Sequence, residues 1–295
     1  MDALKFRGSS VALVTPFLDN GDIDYTGYKR LIDWQIEQGT DVILTCGTTG
    51  ESATMSHEEH QRVIETTIQH VNKRVPVLCG AGSNSTQEAI SLSKFAEKAG
   101  GDAILSVAPY YNKPTQEGLY QHFKAIAESV ESNIILYNVP GRTSSNISAE
   151  TTLRLAEIPN IIGIKEASGN MSQIMNIIRN RPDGFLVLSG DDALSLAMMA
   201  VGGDGIISVV ANQTPKLLSQ MVHAALDGNW DEARKLHYKL LPLMEANFIE
   251  SNPIPVKAAL AMMGIIPENV RLPLIKMTDA GKAKLKPVLK ELDLI

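Results

Sequence analysis

Lys165 closes an apolar run, Asn160-Ile161-Ile162-Gly163-Ile164-Lys165-Glu166, and its type and place suggest nucleophilic chemistry. An isoleucine-rich stretch suits a central parallel strand covered on both faces, so a charged side chain at its end calls for an explanation. In a water-poor pocket the neutral amine is favoured, and a neutral amine can attack a ketone to form a Schiff base. The competing account is a strand that ends at the surface, where the ammonium simply reaches water.

Further groups of this kind follow other apolar runs. Thr45-Cys46-Gly47-Thr48-Thr49-Gly50-Glu51-Ser52 offers two hydroxyls in a glycine loop, and no Gly-Lys-Ser/Thr follows to make it a nucleotide loop. Tyr110-Tyr111 and Tyr137 bring phenols. Arg142, in Val139-Pro140-Gly141-Arg142-Thr143, has the planar fork that clasps a carboxylate, although many loop arginines make only a surface salt bridge. His57 and His60 lack the His-Glu-x-x-His pattern and an evident third ligand, so no metal is expected.

The elements needed to position these residues can be read in order. Strands are expected at 10–14, 42–44, 75–79, 103–107, 134–136, 160–166, 185–188 and 205–208, with helical patterns between them. Capping boxes are expected at Ser56/Glu59 and Ser85/Glu88, and Asn170 and Gln173 are expected to cap a later helix. Strand ends near 15, 45, 80, 107, 138, 165, 189 and 208, each followed by a polar loop, describe an α/β protein with a (β/α)8 barrel. An open doubly wound sheet would not demand eight such units. A barrel domain over 1–228 is expected, then a C-terminal helical domain over 229–295 broken by Pro242, Pro253, Pro255, Pro267 and Pro273. On one barrel face Thr48, Thr49, Tyr111, Tyr137, Arg142, Lys165 and Gly190 would converge, a coherent set for a keto acid.

Composition narrows the classes. A length of 295 residues with 44% hydrophobic content supports a large core. The net charge of -6 argues against nucleic acid or anionic membrane as a partner. Cys46 and Cys79 sit in apolar stretches and read as reduced, buried thiols. Met1 to Arg7 lack the apolar core of a signal peptide and no run approaches membrane-spanning length, so a cytoplasmic location is expected.

At Gly47-Thr48-Thr49-Gly50-Glu51, Tyr110-Tyr111-Asn112, Tyr137 to Thr143, Gly163-Ile164-Lys165-Glu166 and Asn252-Pro253-Ile254-Pro255-Val256-Lys257, the chain resembles the dihydrodipicolinate synthase family of the pyruvate-dependent class I aldolase (N-acetylneuraminate lyase) superfamily. The resemblance implies a lyase-type Schiff base between Lys165 and pyruvate, with no other cofactor, and condensation with aspartate 4-semialdehyde on the route to diaminopimelate and lysine. It implies proton shuttling by Tyr137 through Thr48 and Tyr111, the latter lent to a neighbouring subunit of a homotetramer. Thr49 would hold the pyruvate carboxylate and Arg142 that of the semialdehyde, with Gly190 and Ile207 also binding substrate. An inhibitory lysine site is implied at Ser52, Ala53, His57, His60, Asn84, Glu88 and Tyr110, although His57 and Glu88 could equally be first-turn helix residues. The alternatives are an N-acetylneuraminate lyase or keto-deoxy-sugar aldolase, and a non-catalytic barrel that binds a small molecule.

Overall fold

Eight parallel strands close on themselves in sequential order, β1 Gly8–Ala12, β2 Val42–Thr45, β3 Val77–Gly80, β4 Ala103–Val107, β5 Ile134–Asn138, β6 Ile161–Glu166, β7 Leu186–Ser189 and β8 Gly205–Ser208. The computed structural model describes residues 3–295; Met1 and Asp2, where the expected first domain begins, lie outside the described residues. The expected (β/α)8 barrel with a C-terminal helical extension is the architecture found, and no helix among the described residues is long and apolar enough to cross a membrane.

The strands are buried along their length because both faces are covered. Inside the barrel Phe6, Leu44, Leu78, Ile135, Leu186, Leu188 and Ile207 fill the lumen, and a larger apolar layer joins the strands to the surrounding helices. Those helices are α1 Tyr25–Glu37, α2 His57–Val71, α3 Thr86–Ala99, α4 Gln116–Ala127, a short turn α5 Pro140–Thr143, α6 Ala149–Leu155, α7 Met171–Asn180, α8 Ser195–Ala200 and α9 Pro215–Leu226.

The β5–β6 pairing carries one irregularity that decides the chemistry. Ile134 pairs with Ile161, but Ile135 pairs with Gly163, leaving Ile162 extra. Ile161 belongs to the outer layer and Ile162 to the lumen, while Ile164 is again outside. Under strict alternation Lys165 would share the outward face of Ile161, four residues earlier. The extra residue reverses the phase, and Lys165 turns inward beside its register partner Tyr137.

The extension comprises α10 Trp230–Ala246, α11 Ile254–Met262 and α12 Asp279–Glu291. Pro242 does not break its helix as expected; α10 runs through it, buries Leu236, Leu240, Leu243 and Met244, and packs against α9 and α12. That apolar burial outweighs the one backbone hydrogen bond that proline removes. At Ser85 the hydroxyl accepts from the Glu88 N–H, but the Glu88 carboxylate does not return to Ser85 and bonds Ser83 and His57 instead. The reciprocal capping box is present only at Ser56/Glu59 of the two expected.

Candidate active site

The loops that follow the strands enclose a cavity of about 490 Å3 lined by Thr48, Thr49, Tyr137, Arg142, Lys165 and Gly190 among others. Lys165 is 6% exposed, and its Nζ lies 4.3 Å from the centroid of the Tyr137 ring. Burial lowers its pKa to about 7; the Asp192 carboxylate acts in the opposite direction and the Arg142 charge in the same one. A large share of the amine is therefore neutral near neutrality, the state a nucleophile needs. Gly190 leaves room for the lysine stem, because a Cβ there would sit 2.9 Å from Lys165 Cε.

Tyr137 is buried, and that burial raises its phenol pKa against the lowering effects of the Arg142 charge and the Thr48 hydroxyl. It stays protonated near pH 7 and can give a proton or relay one. Arg142 sits on α5 and makes no ion pair among the described residues, so the surface salt bridge that was its alternative is absent. Its Nη2 reaches the Asn252 carbonyl at 3.4 Å.

Thr49 is buried, and its Oγ1 accepts from Asn252 Nδ2 at 3.0 Å. The threonine loop is held by two tight turns, with Gly50 N–H donating to the Gly47 carbonyl and Glu51 N–H to that of Thr48. Glu51 takes a left-handed φ of 55° and its carboxylate bonds Lys257 Nζ at 2.5 Å and the Arg271 N–H at 3.0 Å, all from the C-terminal extension. Glu166, next to the lysine, faces outward and accepts from Asn138, Ser168 and Gln173, which fixes the end of β6.

Two expected residues lie elsewhere. Ile207 fills the lumen in the apolar cluster that includes Tyr137 and does not line the cavity. Tyr111 is 91% exposed, away from the cavity of its own chain, with a left-handed φ of 70°. Three residues with no assigned role in the sequence also matter here: Asp192, Asn252 and the Glu51 partner Lys257. The Asp191-Asp192 pair and the Asn252 to Lys257 run are visible as sequence, but nothing in it pairs position 49 with 252 or 51 with 257.

A second cavity of about 390 Å3 adjoins the first and shares Thr48, His60 and Arg142 with it. It collects Ser52, Ala53, His57, His60, Glu88 and Tyr110, whereas Asn84 does not line it and instead accepts from Asn112 through its carbonyl at 2.9 Å. His57 Nε2 meets Glu88 Oε1 at 3.0 Å. His60 donates to the Gly80 carbonyl at 2.7 Å, and burial lowers its pKa.

A (β/α)8 barrel with a buried amine of lowered pKa at a strand end fits the class of Schiff-base-forming lyases of the aldolase type. The chain belongs to the dihydrodipicolinate synthetase family, whose model matches residues 5–292. It is 58% identical over 290 residues to a 4-hydroxy-tetrahydrodipicolinate synthase of Syntrophus aciditrophicus, covering 98% of this chain and 99% of the relative. Among solved structures it is similar to the chloride-inhibited dihydrodipicolinate synthase of Acinetobacter baumannii complexed with pyruvate, at 49% identity and TM-score 0.96, covering 98% of this chain and 99% of that one. It is also similar to the enzyme of Cyanidioschyzon merolae with lysine bound, at 41% identity and TM-score 0.96 over 99% of each chain.

Proposed function

We propose that this protein condenses pyruvate with L-aspartate 4-semialdehyde to form 4-hydroxy-tetrahydrodipicolinate, the step that commits carbon to diaminopimelate and lysine. The observation that carries the reading is Lys165, buried with a pKa lowered to about 7 and set against Tyr137. Its Nζ adds to C2 of pyruvate and water leaves, giving an iminium. Loss of a C3 proton yields the enamine, whose C3 attacks the aldehyde carbon while the aldehyde oxygen takes up a proton. The amine of the semialdehyde then adds to C2, closes the ring and expels Lys165.

Tyr137 moves the protons of these steps, relayed by Thr48 and by Tyr111 of a second copy. The exposure and left-handed backbone of Tyr111 support that lending, since a bulky residue is seldom held in this way without a role. The active unit is then at least a dimer, assembled as a homotetramer. Thr49 holds the pyruvate carboxylate and Arg142 that of the semialdehyde. The second cavity takes L-lysine as an inhibitor, Glu88 meeting an ammonium group, and its six gathered residues support that use. Two buried free thiols suit the reducing cytoplasm.

Turnover of pyruvate with aspartate 4-semialdehyde, compared with cleavage of N-acetylneuraminate, tests the assignment. Efficient use of the semialdehyde and none of the sugar acid is expected; the reverse preference would overturn it.

A further inference from the structure

We propose that Asn252, from the C-terminal extension, is a positioning residue that fixes the polarity of the Thr49 hydroxyl so that it donates its proton into the cavity. This rests on the reading of Thr49 as a partner of the pyruvate carboxylate. A carboxylate offers acceptors alone, so every group that binds it must be a donor. A hydroxyl can take either role, and something must choose.

The geometry supplies that choice. Asn252 Nδ2 carries only donors, so at 3.0 Å Thr49 Oγ1 must act as the acceptor. The Thr49 hydroxyl proton has no other partner among the described residues, and both residues line the same cavity. The Asn252 main-chain carbonyl also receives Arg142 Nη2 at 3.4 Å, so one residue touches both groups read as carboxylate binders. Asn252 Oδ1 is buried with no protein partner. A buried acceptor left unpaired costs stability, and of the buried unpaired side-chain atoms among the described residues this one belongs to a residue that lines the cavity.

The test compares Asn252→Asp with Asn252→Ala in the full-length enzyme, reading KM for pyruvate separately from kcat. An ionised carboxylate at 252 accepts the Thr49 proton and repels pyruvate, so at about pH 8 the KM of Asn252→Asp is expected to rise roughly tenfold or more, with kcat held within about threefold. That defect shrinks as the pH falls towards protonation of the new carboxyl, which then donates again. Asn252→Ala frees the hydroxyl without reversing it and raises KM less. A pyruvate KM for Asn252→Asp equal to that of the parent, or a larger KM defect for Ala than for Asp, would overturn the proposal. Should Asn252→Asp fail to fold, Asn252→Ala decides alone: a rise of about threefold at constant kcat supports it and an unchanged KM sinks it. Thr49→Val separates the two readings. If it leaves pyruvate KM unchanged, the carboxylate role of Thr49 fails; if it raises KM while Asn252→Asp does not, only the role of Asn252 fails.

Discussion

Lys165 and Tyr137 are register partners on adjacent parallel strands, and the amine lies 4.3 Å from the centre of the phenol ring. Burial is the dominant influence on the lysine and outweighs the opposing Asp192 charge, so its pKa is lowered to about 7. The neutral fraction falls as the pH drops through that value. The pyruvate limb of kcat/KM is therefore expected to lose about tenfold per pH unit below about 7. The same group should make the fold less stable as the pH falls from 10.5 towards about 7, because its folded pKa lies below its unfolded one. A pH–rate profile and thermal melts of the parent and Lys165→Met check both signs; a flat acid limb would contradict the first.

Arg142→Ala should weaken use of the semialdehyde far more than formation of the pyruvate adduct. A charge-assisted hydrogen bond of about 1.5–3 kcal/mol corresponds to a rise in KM for the semialdehyde of roughly tenfold to a hundredfold. Steady-state kinetics with each substrate varied in turn measure the split, and an equal loss for both would count against the assigned role.

Gly190→Ala places a methyl 2.9 Å from Lys165 Cε and 2.8 Å from Ala167 Cβ. The lysine stem is the softer neighbour and should move, because Ala167 is tied to the backbone. Activity is expected to fall by about tenfold or more, as reacting groups displaced by a fraction of an ångström lose alignment. Circular dichroism should show an unchanged fold; parent-like turnover would show that the lysine tolerates the methyl.

Much of this was legible from the sequence, for physical reasons that differ by residue. Eight apolar runs, each ended by glycine, proline or polar residues, are enough to show a closed parallel barrel, and Thr48, Thr49, Tyr137, Arg142, Lys165 and Gly190 follow to one face. The direction of Lys165 was not legible, since it depends on the extra residue at Ile162, which isoleucine-rich sequence hides. The end of β6 looks the same whether the side chain points to the lumen or to the helices. Ile207 was expected to bind substrate, and its side chain lies in the lumen cluster, where the inward face of β8 is core. The contacts of Asn252 with Thr49 and of Lys257 with Glu51 cross about two hundred residues of chain. Pro242 misled because proline propensity is local, whereas the buried face of α10 is not.

The Lys257–Glu51 pair is fully buried and ties the extension to the threonine loop. Burial lowers the pKa of Lys257 to about 8, while the Glu51 charge and hydrogen bond oppose the shift. Glu51→Ala leaves that ammonium unpaired in the interior and should cost about 3–5 kcal/mol, read as a lower denaturant midpoint. Glu51→Met with Lys257→Met should recover part of the loss, since an apolar pair of similar volume needs no counter-charge, although the Arg271 N–H stays without its Glu51 acceptor. Equal destabilisation by the single and double variants would show that the ion pair is not the reason.

The central claim is that Lys165 is the amine that captures pyruvate. Reduction with borohydride in the presence of pyruvate, followed by peptide mass mapping, tests it most directly. A covalent pyruvate-derived adduct on Lys165, absent without pyruvate and absent in Lys165→Met, is the predicted result. No adduct, or one on another lysine such as Lys257, would contradict the account.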